Sequence, residues 1–496
     1  MHTIIIIYHM GRFEKILVDN NGVDRREAGY YSTPLFISEY ITNELLRINP
    51  NGKKVLDPAV GKEELLKSFS INGKEIDSFD IIEYDDYKYS NFSRVDFIEL
   101  YKSKKINQFF NSDISLDYDY YIANPPYNCH ELNYIRDNKK ELNQIFGDIG
   151  VHNMYSMFLS AIIDMAKEGA LIGVIISDSF LTATMHSGLR QQIIEKCTVH
   201  QLLLCPNDLF WSQKADVRTC IIILQKGKKY QNGVLISNRA KDTNDFKHIL
   251  AARKLKELKI EQLLLSKDKT ANQFIIDIEN EIIDLFKNKR LGEIFKCITG
   301  ISTGNDNKYL SKEKKDGFNV PFYKNPGRRK FVTEPDAFLI DNFMEESLIV
   351  KDFMVRNKNY MLCEGITCSS MGLPFSACYL PEGATYGVNA NIFPPKADIH
   401  WLIAYLNSSL VTFLVRGILI RSNMVTSGYI SQIPVPDFDN NIKDELNQIT
   451  INVINNNITT EIAINKIDEL IFEFLNSSNE TIQKIKHFAK NLNHKV

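Results

Sequence analysis

Four consecutive residues carry the clearest chemical signal. Asn124-Pro125-Pro126-Tyr127 follows directly on the apolar run Tyr120 to Ala123. Two prolines fix φ and remove two backbone donors, so the loop at this strand end is stiff. The Asn124 side-chain oxygen and the Pro125 carbonyl can then point into one cavity as paired acceptors. An exocyclic amine, with two N–H donors, fits that pair, and the Tyr127 ring offers a stacking surface to a planar base. The same residues also suit a plain rigid turn, and the surrounding segments decide between the two readings.

A second segment, Val55-Leu56-Asp57-Pro58-Ala59-Val60-Gly61, ends a strand and turns into an expected helix from Glu63 to Phe69. Such a turn brings backbone N–H groups and a helix N-terminus near a ligand, and glycine permits close approach. It precedes the Asn-Pro-Pro-Tyr loop by about sixty residues. Around these two segments strand-like and helix-like stretches alternate. Ser38 to Arg47 and Met154 to Ala166 have helical spacing, whereas Lys54 to Leu56, Ser78 to Ile82, Ala170 to Ile176 and Thr219 to Leu224 read as strands. Short apolar strands separated by helices predict βαβ units in an α/β fold with a mainly parallel sheet. Sheets of that kind bind ligands at the carboxyl ends of their strands.

The 496 residues predict two to four domains at about 150 residues each. The rhythm changes near Gln225: Lys226 to Asn232 is a polar loop or hairpin, and Lys241 to Lys289 is charged with helical spacing. From Leu291 onward glycine, asparagine, serine and proline punctuate short apolar runs, and Ile442 to His494 is helical in spacing. The expected division is a domain over 1–235, a connector over 236–290 and an α+β domain with terminal helices over 291–496. The net charge of −2 excludes a uniformly basic nucleic-acid binder but not a local basic face. The longest early apolar run, Ile4 to Tyr8, is too short to span a bilayer. Eight cysteines without a CxxC pair, and ten scattered histidines, give no metal-site spacing and predict reduced thiols in a cytoplasmic protein.

The two motifs in this order resemble the S-adenosylmethionine-dependent DNA amino-methyltransferases, and most closely the gamma class (TaqI-like) of adenine-N6 enzymes of restriction–modification systems. The resemblance covers residues 25 to 225 with specific motifs and 290 to 440 more loosely. It implies a Rossmann-like methyltransferase domain followed by a target-recognition domain, S-adenosylmethionine as cofactor, and duplex DNA as partner. A monomer with no membrane association is expected, with a separate restriction endonuclease left open.

Carried over residue by residue, Thr33 in Gly29-Tyr30-Tyr31-Ser32-Thr33-Pro34 would touch the methionine part of the cofactor. Asp57, Pro58, Ala59 and Gly61 match the core of the cofactor loop, with Glu63 standing where the family has a small residue. Asp80, with Glu83 as alternative, would accept from the ribose hydroxyls. Asp96 and Phe97 would take the cofactor adenine's amine and ring, with Asp113 competing for the acid role. Asn124 and Pro125 would hold the target amine, Pro126 would stiffen the loop, and Tyr127 and Phe210 would stack on the flipped adenine, with Trp211 able to replace Phe210. Lys324, Arg328, Arg329 and Lys330 form a local basic loop suited to DNA phosphates. Arg416, Arg421 and Asn423 are candidate groove readers.

The Pro-Cys dipeptide of the cytosine-C5 enzymes is missing; Cys205-Pro206 has the reverse order. Three other readings compete. One is a methyltransferase acting on RNA guanine or protein glutamine, which share the Asn-Pro-Pro-Tyr loop. Another is a bifunctional restriction–methylation enzyme, for which Glu257-Leu258-Lys259 and Glu313-Lys314-Lys315 are chance-prone nuclease triplets. The third is a non-catalytic specificity protein, against which the intact loop argues.

Overall fold

The computed structural model describes residues 31–84, 87–108, 114–127, 133–213, 217–227, 233–265, 272–276, 278–371, 374–420 and 424–492. Gly29, Tyr30, Asp113, Cys129, Arg421 and Asn423 lie outside the described residues. The chain divides into two compact units, residues 1–181 with 185–277, and residues 278–496 with 182–184.

The first unit is built on nine strands: β1 (Lys54–Asp57), β2 (Glu75–Asp80), β3 (Asn91–Arg94), β4 (Tyr120–Ala123), β5 (Leu171–Ser177), β6 (Cys197–Leu204), β7 (Thr219–Lys226), β8 (Val234–Ser237) and β9 (Lys256–Leu258). They lie in the order β3-β2-β1-β4-β5-β7-β6-β8-β9. From β3 to β5 every pair is parallel, while β7 runs antiparallel to both β5 and β6. The sheet is therefore the mainly parallel α/β sheet expected. Chain order proceeds one way from β1 to β3 and the other way from β4, so the sheet reverses between β1 and β4. A crevice opens at the carboxyl ends of two such strands, and those ends carry Asp57 and Asn124.

The strands at the centre read as continuous apolar runs because both faces are covered. Six of the seven residues of β5 and six of the eight of β7 are buried. Helix α1 (Leu35–Ile48) lies over β5, with Ile37, Ile41 and Leu45 inward. It approaches so closely at Gly173 that a Cβ there would meet Ile41 Cγ2 at 2.5 Å and Leu45 Cδ1 at 3.0 Å. Helix α2 (Lys67–Ile71) starts later than the expected Glu63. Glu63 has φ of 61°, and a left-handed residue cannot belong to a right-handed helix. Helices α3 (Phe97–Gln108) and α4 (Met154–Met165) pack against one another through Phe97 and Phe158, whose rings are 5.4 Å apart.

The expected connector 236–290 is different in the structure. β8 and β9 extend the first sheet, and the division falls between residues 277 and 278. The strand β9 reads Lys-Glu-Leu and is exposed at its first two residues. Charged edge strands of this kind protect a sheet from further pairing and lack the apolar signature of inner strands.

The second unit is α+β. One antiparallel sheet runs Lys296–Ile298, Asn391–Phe393, Gly365–Cys368, Ala377–Leu380. Another runs Leu310–Ser311, Ala337–Leu339, Val320–Tyr323, Thr385–Tyr386, with only its last pair parallel. The terminal helical region resolves into Asn440–Ile454, Thr460–Phe474 and Asn479–Asn491, each starting with a side-chain cap from Asp439, Thr459 or Ser478. Among the described residues no single helix is long and apolar enough to cross a membrane, and no disulfide joins the described cysteines.

Gly173→Ala is expected to lower the thermal unfolding midpoint of the first unit, at a cost of about 1–3 kcal/mol for overpacking. Scanning calorimetry against the unsubstituted chain measures it.

Candidate active site

The first unit gathers its acids at the carboxyl ends of β1 and β2. Asp57 is fully buried; one carboxylate oxygen accepts the Ala59 N–H at 3.0 Å, and the other, Oδ2, has no partner. Burial raises this carboxyl well above the usual carboxylate range, and the negative charge of Asp80 adds to the effect. Asp80 accepts the N–H of Gly61 at 3.0 Å and that of Ile82 at 3.0 Å. Burial pushes its carboxyl up while these backbone donors pull it back. Gly61 has φ of 53°, which glycine adopts without the penalty a Cβ would bring. Pro58 is buried and Ala59 is half-buried in this turn, and the Val60 N–H donates to the Phe79 carbonyl at 3.0 Å. Glu83 is exposed.

Glu63 explains how the turn keeps its shape without the small residue of the resembling family. Its carboxylate accepts the N–H of Lys88 at 2.7 Å, the N–H of Tyr89 at 3.0 Å and the Ser90 hydroxyl at 2.7 Å. Hydrogen bonds to a charged acceptor are roughly twice as strong as neutral ones, enough to hold a non-glycine residue left-handed. Farther along, Asp96 caps α3 by accepting from Ile98 at 2.9 Å and Glu99 at 3.1 Å. Phe97 is not at the site surface: it is buried in the core against Phe158. As the first residue of α3 it faces the helix packed beside it, so Asp96 and Phe97 diverge where the resemblance set them together.

The Asn-Pro-Pro-Tyr loop leaves β4 at the other side of the reversal. Both N–H groups of the Asn124 amide are committed: Nδ2 donates to the Tyr31 carbonyl at 2.7 Å and to the Thr33 hydroxyl at 2.9 Å. That network fixes which end of the amide is nitrogen. It leaves Asn124 Oδ1 buried and without a hydrogen-bond partner. Pro125 is buried and Pro126 half-buried. The Tyr127 hydroxyl donates to the Ile175 carbonyl at 3.0 Å, which pins the ring to β5. The Tyr31 ring lies 5.8 Å from Tyr127 and 6.1 Å from Phe210, tilted to both. Phe210 is 1% exposed, whereas Trp211 is 57% exposed, so Phe210 is the aromatic that joins this cluster. One corner thus unites an unpartnered acceptor, a rigid loop and three aromatic rings, beside a turn holding a buried carboxylate with an unpartnered oxygen.

Residues 9–284 match the family of N-6 DNA methylases. The chain belongs to that family. A Type II methyltransferase of Aneurinibacillus aneurinilyticus, M.BanIII, is 28% identical over 216 aligned positions, covering 38% of this chain and 37% of that protein. The DrdV–DNA complex, solved by cryo-electron microscopy, matches 86% of this chain and 58% of its own with a TM-score of 0.56 at 11% identity. A nuclease-deletion mutant of the Type ISP restriction-modification enzyme LlaGI, in complex with a DNA substrate mimic, matches 86% and 54% with a TM-score of 0.57 at 12% identity. These likenesses establish the fold. The chain spans little over a third of the curated relative and somewhat over half of each solved chain.

Several residues of this methylase-family site escaped sequence reasoning. Tyr31 lies within the quoted Gly29 to Pro34 segment, but nothing local announces that its ring meets Tyr127 and Phe210. Arg239 bonds the Asp178 carboxylate and the Cys205 carbonyl, tying the ends of β5 and β6 where the Phe210 loop begins. Gln213 bonds the backbone of Ser32 from 181 positions away. Such pairs depend on strand order, which residue spacing does not encode.

The basic loop of the second unit is less available than its sequence suggests. Lys324 forms an ion pair with Asp306. Arg329 donates to the Pro326 carbonyl at 3.3 Å and lies 4.0 Å from Asp336. Lys330 donates to the Asn407 carbonyl at 2.8 Å, at the end of the helix Ile399–Asn407. Burial pulls its amine down to about 8. Arg328 is exposed. Arg416 is buried, and desolvation lowers its guanidinium to about 10, so it is not a groove reader in this conformation.

Glu63→Gly relieves the left-handed strain but removes three bonds to the 88–90 loop. The bonds outweigh the roughly 1 kcal/mol of strain, so the variant is expected to unfold at lower temperature, with Glu63→Gln intermediate. Lys330 binds fewer protons folded than unfolded between pH about 8 and 10.5. Stability therefore rises with pH across that window. Urea midpoints measured at pH 8 and pH 10 are expected to differ less in Lys330→Met than in the unsubstituted chain.

Proposed function

We propose that the chain methylates N6 of an adenine flipped out of duplex DNA, as a gamma-class enzyme and the modification arm of a restriction–modification system. The observation that carries this reading is the Asn124 amide, whose two donors are committed and whose oxygen is left unpartnered. The target amine is a poor nucleophile because its lone pair is delocalised into the ring. Asn124 Oδ1 and the Pro125 carbonyl accept its two N–H bonds, draw the nitrogen toward tetrahedral geometry and localise the lone pair. As positive charge develops on that nitrogen, the two fixed oxygens stabilise it without reorganising. Tyr127, half-buried, faces the base, whereas Phe210, 1% exposed and covered by the Tyr31 ring, meets it only once that ring has moved aside; extrusion from the duplex costs a few kcal/mol of unstacking.

The residues of the β1–β2 corner fit S-adenosylmethionine. Asp57 has an unpartnered buried oxygen, Gly61 offers a backbone without a Cβ, and Asp80 lies at the strand end where ribose hydroxyls would be held. When bound, S-adenosylmethionine supplies an electrophilic methyl group on a sulfonium sulfur. Thr33, whose hydroxyl accepts from Asn124, would touch the methionine part of the cofactor from beside the base site. Holding two reactants in line accounts for much of the acceleration in such transfers.

The likenesses to DrdV and LlaGI cover 86% of this chain but little over half of each of theirs. The likeness to a Type ISP restriction-modification enzyme favours, as a second reading, a bifunctional restriction–methylation enzyme. DNA strand breaks appearing on incubation with the purified chain would support it.

Mass spectrometry of nucleosides from adenine-unmethylated DNA incubated with the chain and S-adenosylmethionine is expected to detect N6-methyladenine. Asn124→Ala is expected to lower its formation about 10²–10³-fold. Methyl on cytosine N4, or a fully active Asn124→Ala, would refute the reading.

A further inference from the structure

We propose that Gln213 is a positioning residue that couples cofactor binding to target-base binding. The inference rests on the reading above, in which Thr33 faces the cofactor and Phe210 the base. Gln213 makes two reciprocal bonds to one residue. The Ser32 N–H donates to Gln213 Oε1 at 2.8 Å, and Gln213 Nε2 donates to the Ser32 carbonyl at 2.7 Å. A side-chain amide here takes the place of a neighbouring strand, and because oxygen and nitrogen are both engaged its orientation is set.

Both ends of this clasp lead to functional atoms. Ser32 stands between Tyr31 and Thr33, whose carbonyl and hydroxyl hold the Asn124 amide. On the other side, Gln213 closes a single 3-10 turn, and its N–H donates to the Phe210 carbonyl at 3.0 Å. Phe210 faces the Tyr31 ring, and Tyr31 faces Tyr127. The contacts form a closed circuit from Phe210 through Gln213, Ser32 and Asn124 to Tyr127. The start of the Phe210 loop is held separately by Arg239 on the Cys205 carbonyl. Gln213 is therefore the hydrogen-bonded link, beside the Tyr31–Phe210 ring contact, that the described residues show between the segment bearing Thr33 and the Phe210 turn. Ordering either end fixes the other, so a ligand that orders the Thr33 segment lowers the ordering cost for a base at Phe210. Linkage makes the effect reciprocal.

The test uses the full chain, S-adenosylhomocysteine (which binds without turnover) and long heterogeneous DNA free of N6-methyladenine. Calorimetric titration with and without that DNA gives the enhancement of cofactor-product affinity. The unsubstituted chain is expected to bind on the order of tenfold more tightly when DNA is present. Gln213→Ala is expected to show an enhancement that collapses toward one, measured against its own affinity for S-adenosylhomocysteine alone. Gln213→Glu keeps an acceptor for the Ser32 N–H but sets an oxygen against the Ser32 carbonyl, and is expected to lose the enhancement as well. A purely structural role would lower the unfolding midpoint and leave the enhancement intact, which overturns the proposal. So does an unsubstituted chain that methylates DNA but shows no enhancement. Methyl incorporation in the same preparations reports on the underlying reading: an unsubstituted chain that makes no N6-methyladenine overturns that reading and the clasp with it.

Discussion

An amide side chain carries two donors on one side and an acceptor on the other, and committing the donors aims the acceptor. At Asn124 the donors meet the Tyr31 carbonyl and the Thr33 hydroxyl, and Oδ1 is left facing away from them without a partner. Several contacts in the first unit keep residues 31–34 and the end of β4 in place. Helix α1 begins immediately after them and is seated on β5 at Gly173, where no larger residue fits. Gln213 holds Ser32 from the opposite side, and Tyr127 is tethered to β5 through Ile175. A buried polar atom without a partner is costly. On the function proposed above, that oxygen is the acceptor for the target amine.

The β1–β2 corner follows a related logic. Three carboxylates lie close together beyond the carboxyl ends of β1 and β2, and each is held by backbone N–H groups. Asp57 takes Ala59, Asp80 takes Gly61 and Ile82, and Glu63 takes Lys88 and Tyr89. Those donors offset the desolvation that raises Asp57 and Asp80. Glu63 does in addition what a small residue does in the resembling family. It occupies a left-handed position, and its side chain stitches the turn to the segment after β2. The departure from the family pattern is thus local: the backbone shape is kept and its support is changed.

The second unit shows how charge in a sequence misleads. Four basic residues within seven positions read as a phosphate-binding loop. Yet Lys330 lies over a helix C-terminus and Lys324 faces Asp306, so much of the positive charge is answered inside the fold. Arg416 is similarly internal. A basic side chain in sequence says only that a charge exists; its partner comes from an element that packing brings in.

What the sequence determined by itself was whatever depends on neighbours along the chain. The strands β1, β4, β5 and β7, the helix Met154–Met165, the stiff Asn-Pro-Pro-Tyr corner and the turn after Asp57 all follow from short-range periodicity, proline and glycine. The tertiary structure alone decided the rest. Phe97 turned into the core although it follows Asp96, Glu63 delayed a helix by adopting positive φ, and β8 and β9 joined a sheet that composition had ended. It also brought Tyr31, Asn124, Phe210 and Gln213 to one corner. The physical reason is that strand order sets these contacts. Which strand lies beside which is chosen by burial of whole faces, and no spacing between two residues 181 positions apart records that choice.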